Sequence, residues 1–138
     1  LGMTVLAYDP YVKEFEYGKL VSLDELLAAA DYISLHLPKT KESADMIGAE
    51  QFAKMKDGVR IVNCARGGII NEDALYQALT SGKVAAAALD VFAVEPPTDW
   101  KLLKLENVIG SPHIGAATKE AQGRVGAEVA QIVIEFAK

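Results

Sequence analysis

Arg66, Glu95 and His113 are the residues of this sequence best suited to chemistry on a small acid. The Arg66 guanidinium stays charged at any working pH and presents a planar pair of donors to a carboxylate. The His113 imidazole can exchange a proton near neutral pH, and a carboxylate such as Glu95 would hold its tautomer. The three side chains therefore predict a site that anchors a carboxylate and moves a proton.

Each of the three also has a plain structural interpretation. Arg66 precedes Gly67 and Gly68, so it could be a surface arginine before a tight turn. Glu95 precedes two prolines, where solvation of a loop would be enough to explain it. The chemical interpretation gains weight because Arg66, Glu95 and His113 each follow a separate predicted strand. Ligands of parallel sheets bind at the carboxyl ends of strands.

Two aspartates follow predicted strands as well. Asp9 comes before Pro10, where it could accept two hydrogen bonds from a ribose diol or could simply form a turn. Asp90 could accept a hydrogen bond from an amide, or it could be a solvated loop residue. Both carboxylates are therefore candidate contacts for a nucleotide cofactor.

Two further residues of reactive type have mainly structural interpretations. His36 lies inside a predicted strand, and its separation from His113 lacks the helical spacing of a metal site, so no metal is expected. Cys64 is the only cysteine, which excludes an intramolecular disulfide and a cysteine-rich zinc site. A single cysteine in a strand usually behaves as a small hydrophobe and indicates a reducing compartment, here the cytoplasm.

The composition is that of one globular domain. The 138 residues are 51% hydrophobic and 24% charged, which is typical of a folded core rather than a disordered chain. The formal net charge of −5 argues against nucleic acid as a partner. No run approaches the roughly 18 consecutive apolar residues of a membrane span, so no membrane partner is expected.

Strand-sized apolar runs alternate with helical patterns along the whole chain. Predicted strands cover 4–8, 19–21, 32–37, 60–65, 84–91 and 107–111. Predicted helices cover 22–30, 50–56, the segment between Asn71 and Gly82, and the segment from 118 to the end. This alternation predicts an α/β fold of three layers, a doubly wound parallel sheet with helices on both faces.

Short polar signals mark where these helices begin and end. Ser22 and Glu25 form a capping-box pattern, and Asn71 can cap the third helix, whose end is marked by Gly82. The last helix carries one apolar stripe at helical spacing. Its members are Ala121, Val125, Val129, Ile132 and Phe136.

Three stretches of the sequence carry family signatures in the right order and spacing. They are VNCARGG at 62–68, ALDVF at 88–92 together with EPP at 95–97, and SPHIGAATKEA at 111–121. On these stretches the chain resembles the D-isomer-specific 2-hydroxyacid dehydrogenases, and the similarity runs over essentially all 138 residues. The resemblance implies a Rossmann-type domain, NAD as cofactor and oxidation of a D-2-hydroxyacid. It makes 3-phosphoglycerate, of serine biosynthesis, the expected substrate.

The resemblance also implies a role for each site residue. Arg66 would hold the substrate carboxylate and carbonyl, His113 would act as the acid–base group, and Glu95 would be its carboxylate partner. Asp9 would bind the ribose and favour NAD over NADP, and Asp90 would lie near the nicotinamide carboxamide. The implied cofactor contacts are Asp9, Leu37, Cys64, Ala65, Arg66, Asp90, His113, Ile114, Gly115 and Ala116.

The sequence departs from that family at its beginning. Family members carry a Gly-x-Gly-x-x-Gly turn, with its strand and helix, just before a segment like 1–3, and they add a substrate domain. We therefore expect residues 1–138 to be a partial dinucleotide-binding domain, a truncated Rossmann fold. Without the first strand, the strand at 4–8 could pair with the strand at 32–37 and close the sheet into the flavodoxin-like order 2-1-3-4-5. The rival expectation is a swapped dimer that fills the gap.

Two functions are open from the sequence. The first is the acid–base and carboxylate-binding part of an NAD-dependent oxidoreductase that acts on a small molecule. The second is a non-catalytic module that binds NAD weakly or not at all, since the amides that would cradle a pyrophosphate are expected to be absent. An unrelated flavodoxin-like signalling domain would leave the three dehydrogenase motifs unexplained. We expect this chain to be inactive on its own and to be a monomer or a homodimer.

Overall fold

The structure, a computed structural model, describes residues 2–137 as an α/β fold of parallel strands. The strands are β1 (Leu6–Ala7), β2 (Lys19–Leu20), β3 (Tyr32–Leu35), β4 (Val59–Asn63), β5 (Val84–Leu89) and β6 (Val108–Gly110). The helices are α1 (Leu23–Ala29), α2 (Ala49–Lys54), α3 (Glu72–Thr80) and α4 (Lys119–Phe136). The predicted α/β class is therefore confirmed, and none of the helices within residues 2–137 has the length and apolar content that crossing a membrane requires.

Strands β3, β4, β5 and β6 form one sheet in that order, and all its pairings are parallel. The register places Leu35 beside Asn63, Asn63 beside Leu89, and Leu89 beside Gly110. These four residues are the last of their strands, so the carboxyl ends lie in one row. The loops that follow the strands therefore start at one edge of the sheet, where a ligand site is expected.

Strands β1 and β2 form a separate two-stranded sheet. Within residues 2–137, β1 pairs only with β2 and β3 pairs only with β4, so the predicted closure between 4–8 and 32–37 is not formed. The flavodoxin-like order 2-1-3-4-5 is therefore not the order of this structure. The physical reason is the shortness of β1: two residues offer only about two ladder hydrogen bonds of about 0.5–1.5 kcal/mol each, which is little against repacking α1 and its loops.

The core lies between the four-stranded sheet and a layer formed by α1, α2 and α3. Contacts join α1 to α2, α2 to α3, and α3 to β5, so these helices cover the same face of the sheet. Buried and exposed residues alternate along β3 and β4: Ile33, Leu35 and Ile61 are buried, whereas Tyr32 and Arg60 are exposed. Within the part of the chain that the structure describes, the other face is therefore open, which departs from the prediction of helices on both faces.

Helix α4 is the helix that would have to form the second layer, and none of its described residues is buried. Its predicted apolar stripe is present but faces outward, with Val125, Val129 and Ile132 each more than half exposed. The Thr118 hydroxyl caps the helix by accepting a hydrogen bond from the Ala121 N–H at 3.1 Å. The Thr118 cap therefore marks where α4 begins, although none of the described residues of this helix packs onto the sheet.

The other predicted helix caps are confirmed. The Ser22 hydroxyl accepts a hydrogen bond from the Glu25 backbone N–H at 3.3 Å, and the Glu25 carboxylate accepts one from the Ser22 N–H at 2.9 Å. The Asn71 side chain accepts from the Ala74 N–H at 2.9 Å, and Gly82 has the left-handed φ of 80° that ends α3. Helices α1 and α3 therefore begin where their polar residues predict.

Candidate active site

The side chains of His113 and Glu95 are paired at the carboxyl-end edge of the sheet. Nδ1 of His113 lies 2.7 Å from Oε2 of Glu95, the length of a charge-assisted hydrogen bond. The two side chains are partly open to solvent, with 45% of His113 and 35% of Glu95 exposed. A small molecule can therefore reach the pair.

A second hydrogen bond holds Glu95 in place, because the Phe92 backbone N–H donates to its Oε1 at 3.0 Å. The hydrogen bond with His113, and then the one from Phe92, hold the pKa of the Glu95 carboxyl below its ordinary value. Glu95 is therefore ionised at neutral pH and accepts a hydrogen bond from the Nδ1–H of His113. This assigns the tautomer of His113 in which Nδ1 carries the proton. This tautomer leaves Nε2 of His113 as the atom that can take a proton from a ligand.

The loop that carries His113 is fastened to Asp90. The buried Asp90 carboxylate accepts hydrogen bonds from the Ser111 hydroxyl at 2.6 Å, the Ile114 N–H at 2.9 Å and the Gly115 N–H at 2.9 Å. Burial by itself raises the pKa of Asp90, but these three hydrogen bonds outweigh it and the pKa is lowered. His113 has a left-handed φ of 54°, a conformation that a non-glycine residue keeps only where its surroundings hold it. The hydrogen bonds that Asp90 accepts on either side of His113 hold it in this conformation.

Arg66 lies in the turn after β4, and buried Asn63 shapes this turn. The Asn63 side chain donates to the Arg66 carbonyl at 3.1 Å and accepts from the Ala65 N–H at 3.1 Å. Nη1 of Arg66 donates to the Ala65 carbonyl at 2.6 Å, and within residues 2–137 its other donors make no hydrogen bond or ion pair. The exposed guanidinium can therefore offer donors to a carboxylate.

The turn of Arg66 meets the loop of Glu95 at Gly67. A Cβ added at Gly67 would overlap the backbone carbonyl of Phe92, so only glycine fits there. Phe92 is also the residue whose N–H holds Glu95. One backbone contact therefore joins the Arg66 turn to the loop that forms the pair with His113.

A cavity of about 400 Å³ opens beside the pair. His113 and Glu95 contribute to its wall, together with the apolar side chains of Trp100, Leu103 and Pro112. Trp100 is the single tryptophan of the chain, so its fluorescence reports on this cavity.

Asp9, the predicted ribose ligand, follows β1 and forms a turn of its own. Its Oδ1 accepts hydrogen bonds from the Tyr11 N–H at 2.8 Å and the Val12 N–H at 3.1 Å. Its Oδ2 has no hydrogen-bond partner in the described part of the chain, so one oxygen is available to a ligand hydroxyl. The turn-forming interpretation and the ligand-binding one are therefore compatible.

The remaining predicted cofactor contacts lie in loops at the carboxyl-end edge of the four-stranded sheet. They are Leu37 after β3, Cys64 and Ala65 after β4, and Ile114, Gly115 and Ala116 after β6. The Ile114 side chain is 49% exposed and offers an apolar surface to a flat ring. The structure brings Glu95 to His113 and Asp90 to the His113 loop, whereas no hydrogen bond within residues 2–137 joins Asp9 to them.

Sequence reasoning missed three residues that position the site. Asn63 shapes the arginine turn, Ser111 donates to Asp90, and Glu72 accepts a hydrogen bond from the Ala93 N–H at 2.6 Å. The last two hydrogen bonds join residues 21 apart in the chain, so no local pattern reveals them. The one available signal was the place of Ser111 at the end of the predicted strand 107–111.

The second histidine lies apart from the pair. Nε2 of His36 is 2.7 Å from Oγ of Ser34, and both residues are exposed. Across residues 2–137, no group of three histidine, cysteine or acidic side chains is placed to hold a metal ion. His36 therefore serves as a reference against which His113 can be tested.

Comparison with known proteins relates the chain to one family. A sequence profile described as D-isomer specific 2-hydroxyacid dehydrogenase, NAD binding domain, matches residues 1–115. The D-3-phosphoglycerate dehydrogenase of Archaeoglobus fulgidus is 55% identical over 143 residues, which cover 100% of this chain and 27% of that protein. The hydroxypyruvate reductase of Thermotoga maritima is 54% identical over 138 residues, which cover 97% of this chain and 45% of that protein.

Solved structures agree with this relationship. A crystal structure of a glyoxylate reductase from Paecilomyes thermophila matches with a TM-score of 0.86 and 42% identity. The match covers 91% of this chain and 39% of that one. The chain therefore spans less than half the length of each of these three proteins.

Proposed function

The chain belongs to the D-isomer specific 2-hydroxyacid dehydrogenases, and we propose that its site binds the carboxylate and moves the proton in NAD-dependent oxidation of a D-2-hydroxyacid. The observation that carries this proposal is the 2.7 Å contact between Nδ1 of His113 and Oε2 of Glu95, beside the turn of Arg66. A base with a fixed tautomer and a cation for a carboxylate are the two groups that such an oxidation needs from the protein.

In this proposal His113 acts as the general base. Glu95 accepts a hydrogen bond from the Nδ1–H of His113. The lone pair of Nε2 therefore receives the proton of the substrate hydroxyl. The imidazolium that forms is stabilised by ionised Glu95, whose pKa the same hydrogen bond lowers. In the reverse direction His113 returns that proton to the oxygen of the carbonyl.

The residues present fit the ribose and the carboxamide of a nicotinamide dinucleotide. Such a cofactor, when bound, accepts the hydride from the carbon that bears the hydroxyl. Asp9 offers an unpartnered oxygen to a ribose hydroxyl, and Ile114 offers an exposed apolar surface. Oδ2 of Asp90 accepts one hydrogen bond, from Gly115, and so keeps a lone pair for the carboxamide.

The substrate that we propose is 3-phosphoglycerate, because the archaeal relative at 55% identity is a D-3-phosphoglycerate dehydrogenase. NADH formation is measured with 3-phosphoglycerate and with D-glycerate, which differ only in the phosphate. A higher kcat/KM for 3-phosphoglycerate supports the proposal, and a higher value for D-glycerate overturns this choice of substrate. No NADH formation with either compound would contradict an active dehydrogenase site in this chain.

A second candidate function is an NAD-binding module without turnover. It is favoured by the separation of the β1–β2 sheet, which carries Asp9, from the four-stranded sheet within residues 2–137. Energy transfer from Trp100 to added NADH measures binding without requiring a reaction. Energy transfer that is not accompanied by NADH oxidation, with 3-phosphohydroxypyruvate present, would favour the module over the enzyme.

The state of Cys64 bears on where the protein works. Its thiol is exposed and free. Exposed free thiols persist in reducing compartments, which is consistent with our proposal of the cytoplasm.

A further inference from the structure

Glu72, a carboxylate outside the proposed reacting groups, holds the loop that carries Glu95. The Ala93 backbone N–H donates to Oε1 of Glu72 at 2.6 Å, a short and therefore strong hydrogen bond to an anion. Glu72 is the first residue of α3, and the Asn71 cap fixes that end of the helix. The loop is thus tied to a rigid element.

The peptide group between Phe92 and Ala93 is held from both sides. Its N–H donates to Glu72, and its C=O packs against Gly67, where a Cβ would overlap it. The N–H of Phe92 itself donates to Glu95 at 3.0 Å, and the Phe92 side chain is buried. Rotation of this peptide would turn the loop away from Glu95 and loosen the pair with His113.

We propose that Glu72 is a positioning residue of the reaction: through Ala93 it fixes the backbone that aims the Glu95 carboxylate at His113. Within residues 2–137 the Glu72 side chain makes no hydrogen bond to Arg66, Glu95 or His113, so its effect is indirect. The importance of the pair rests on the proposed function, but the effect of Glu72 on Glu95 can be measured without turnover.

Three variants separate the hydrogen bond from the charge. Glu72→Asp keeps the negative charge at the start of α3 but withdraws the carboxylate by one methylene from the Ala93 N–H. Glu72→Gln removes the charge but keeps an acceptor oxygen at the same reach. Asp73→Asn is the matched control, because Asp73 is the next residue of the same helical turn and pairs with Lys101 instead.

Amide hydrogen exchange at Ala93 and a carboxyl-carbon NMR titration of Glu95 are the deciding measurements. Charged groups that face Glu95 are His113 and Asp90, and the variants change neither. In the wild type, Glu72→Gln and Asp73→Asn, the Ala93 amide is protected and Glu95 titrates below its ordinary pKa. In Glu72→Asp, exchange at Ala93 accelerates by about tenfold and the pKa of Glu95 rises toward its ordinary value.

Two results would overturn the inference. One is unchanged exchange and unchanged Glu95 titration in Glu72→Asp, and the other is an equal change in Asp73→Asn. If the wild type turns over, we expect Glu72→Asp to lower kcat by roughly ten- to hundredfold with little change in KM. The separate variant Glu72→Gln should keep the wild-type kcat. A wild type without turnover counts against the proposed function alone, since the NMR titration still decides on Glu72.

Discussion

At the residue scale, Asp90 shows how one buried carboxylate sets the geometry of a loop. Its Oδ1 accepts hydrogen bonds from Ser111 and Ile114, and its Oδ2 accepts one from Gly115. These bonds flank His113, whose left-handed φ they maintain. The predicted contact of Asp90 with a nicotinamide carboxamide stays a prediction.

Replacing Asp90 with asparagine should show this role directly. The new amide donor would face a backbone N–H that loses its acceptor, so we expect Asp90→Asn to lower the free energy of unfolding by about 1–3 kcal/mol. Urea unfolding measures the loss. Asp31→Asn, in an exposed ion pair with Lys56, should change the free energy by less than about 0.5 kcal/mol. Equal losses in the two variants would contradict a special role for Asp90.

The Glu95–His113 pair should make stability depend on pH in one direction. The pKa of Glu95 is lowered in the folded chain, first by His113 and then by the Phe92 N–H. The pair therefore contributes stability above the unfolded pKa of about 4.3 and loses it as the pH falls through the lower folded value. We expect the difference in unfolding free energy between wild type and Glu95→Gln to be fully present above about pH 4.3 and to shrink as the pH falls below that value.

A double-mutant cycle with His113→Gln checks this pH dependence. The coupling energy between the two positions is obtained from urea unfolding of the four proteins at neutral and acidic pH. A coupling energy that stays constant or grows as the pH falls below about 4.3 would contradict the assignment of Glu95 as the ionised partner.

Residue type and place in the chain were enough to suggest Arg66, Glu95 and His113 as site residues. The structure places Glu95 against His113, and the chemical roles of all three stay predictions. Glu72 could not be suggested in this way. Its hydrogen bond to Ala93 depends on how α3 packs beside the loop after β5, which no local pattern contains.

At the element scale, the turn after β4 depends on two residues that pack tightly. Asn63, the last residue of β4, closes the turn through its side chain. Gly67 lets the Phe92 carbonyl approach the backbone. Helix starts such as those at Ser22 and Asn71 were predictable because a cap is a local pattern, whereas this close approach joins two distant segments.

Substitution of Gly67 tests that approach. Gly67→Ala should lower the free energy of unfolding by about 1–3 kcal/mol, because the added methyl group would displace the Phe92 carbonyl. Gly123→Ala, in α4 with open space around it, should change the free energy of unfolding of the core by less than about 0.5 kcal/mol, because α4 does not pack onto the sheet. Thermal unfolding compares the two, and a neutral Gly67→Ala would rule out the close contact.

At the scale of the whole molecule, the open face of the sheet is the feature that could not be predicted from the sequence. Val62 and Ala88 lie side by side on the open face, yet they are as apolar as Ile61 and Ala87 on the covered face. Without alternation of polar and apolar residues, such strands predict burial on both faces. The class and the parallel pairing followed from the sequence, but the extent of the covering layers did not.

Helix α4 should add little to the stability of the core that the structure describes. Ile61 is 2% exposed and Ile132 is 58% exposed, so the same substitution samples both environments. We expect Ile61→Ala to cost about 2–5 kcal/mol in urea unfolding and Ile132→Ala to change the free energy by less than about 0.5 kcal/mol. A loss at Ile132 as large as that at Ile61 would show that α4 packs onto the sheet.

The two histidines of the chain provide the most direct test of the whole site. NADH oxidation with 3-phosphohydroxypyruvate is measured for the wild type, His113→Gln and His36→Gln. Our account predicts that His36→Gln keeps the wild-type kcat and that His113→Gln loses roughly a hundred- to ten-thousandfold, because only His113 is paired with Glu95. Equal rates in the two histidine variants would contradict the role of His113. No turnover by the wild type would agree with the inactivity expected from the sequence and would contradict the proposal of an active site in this chain.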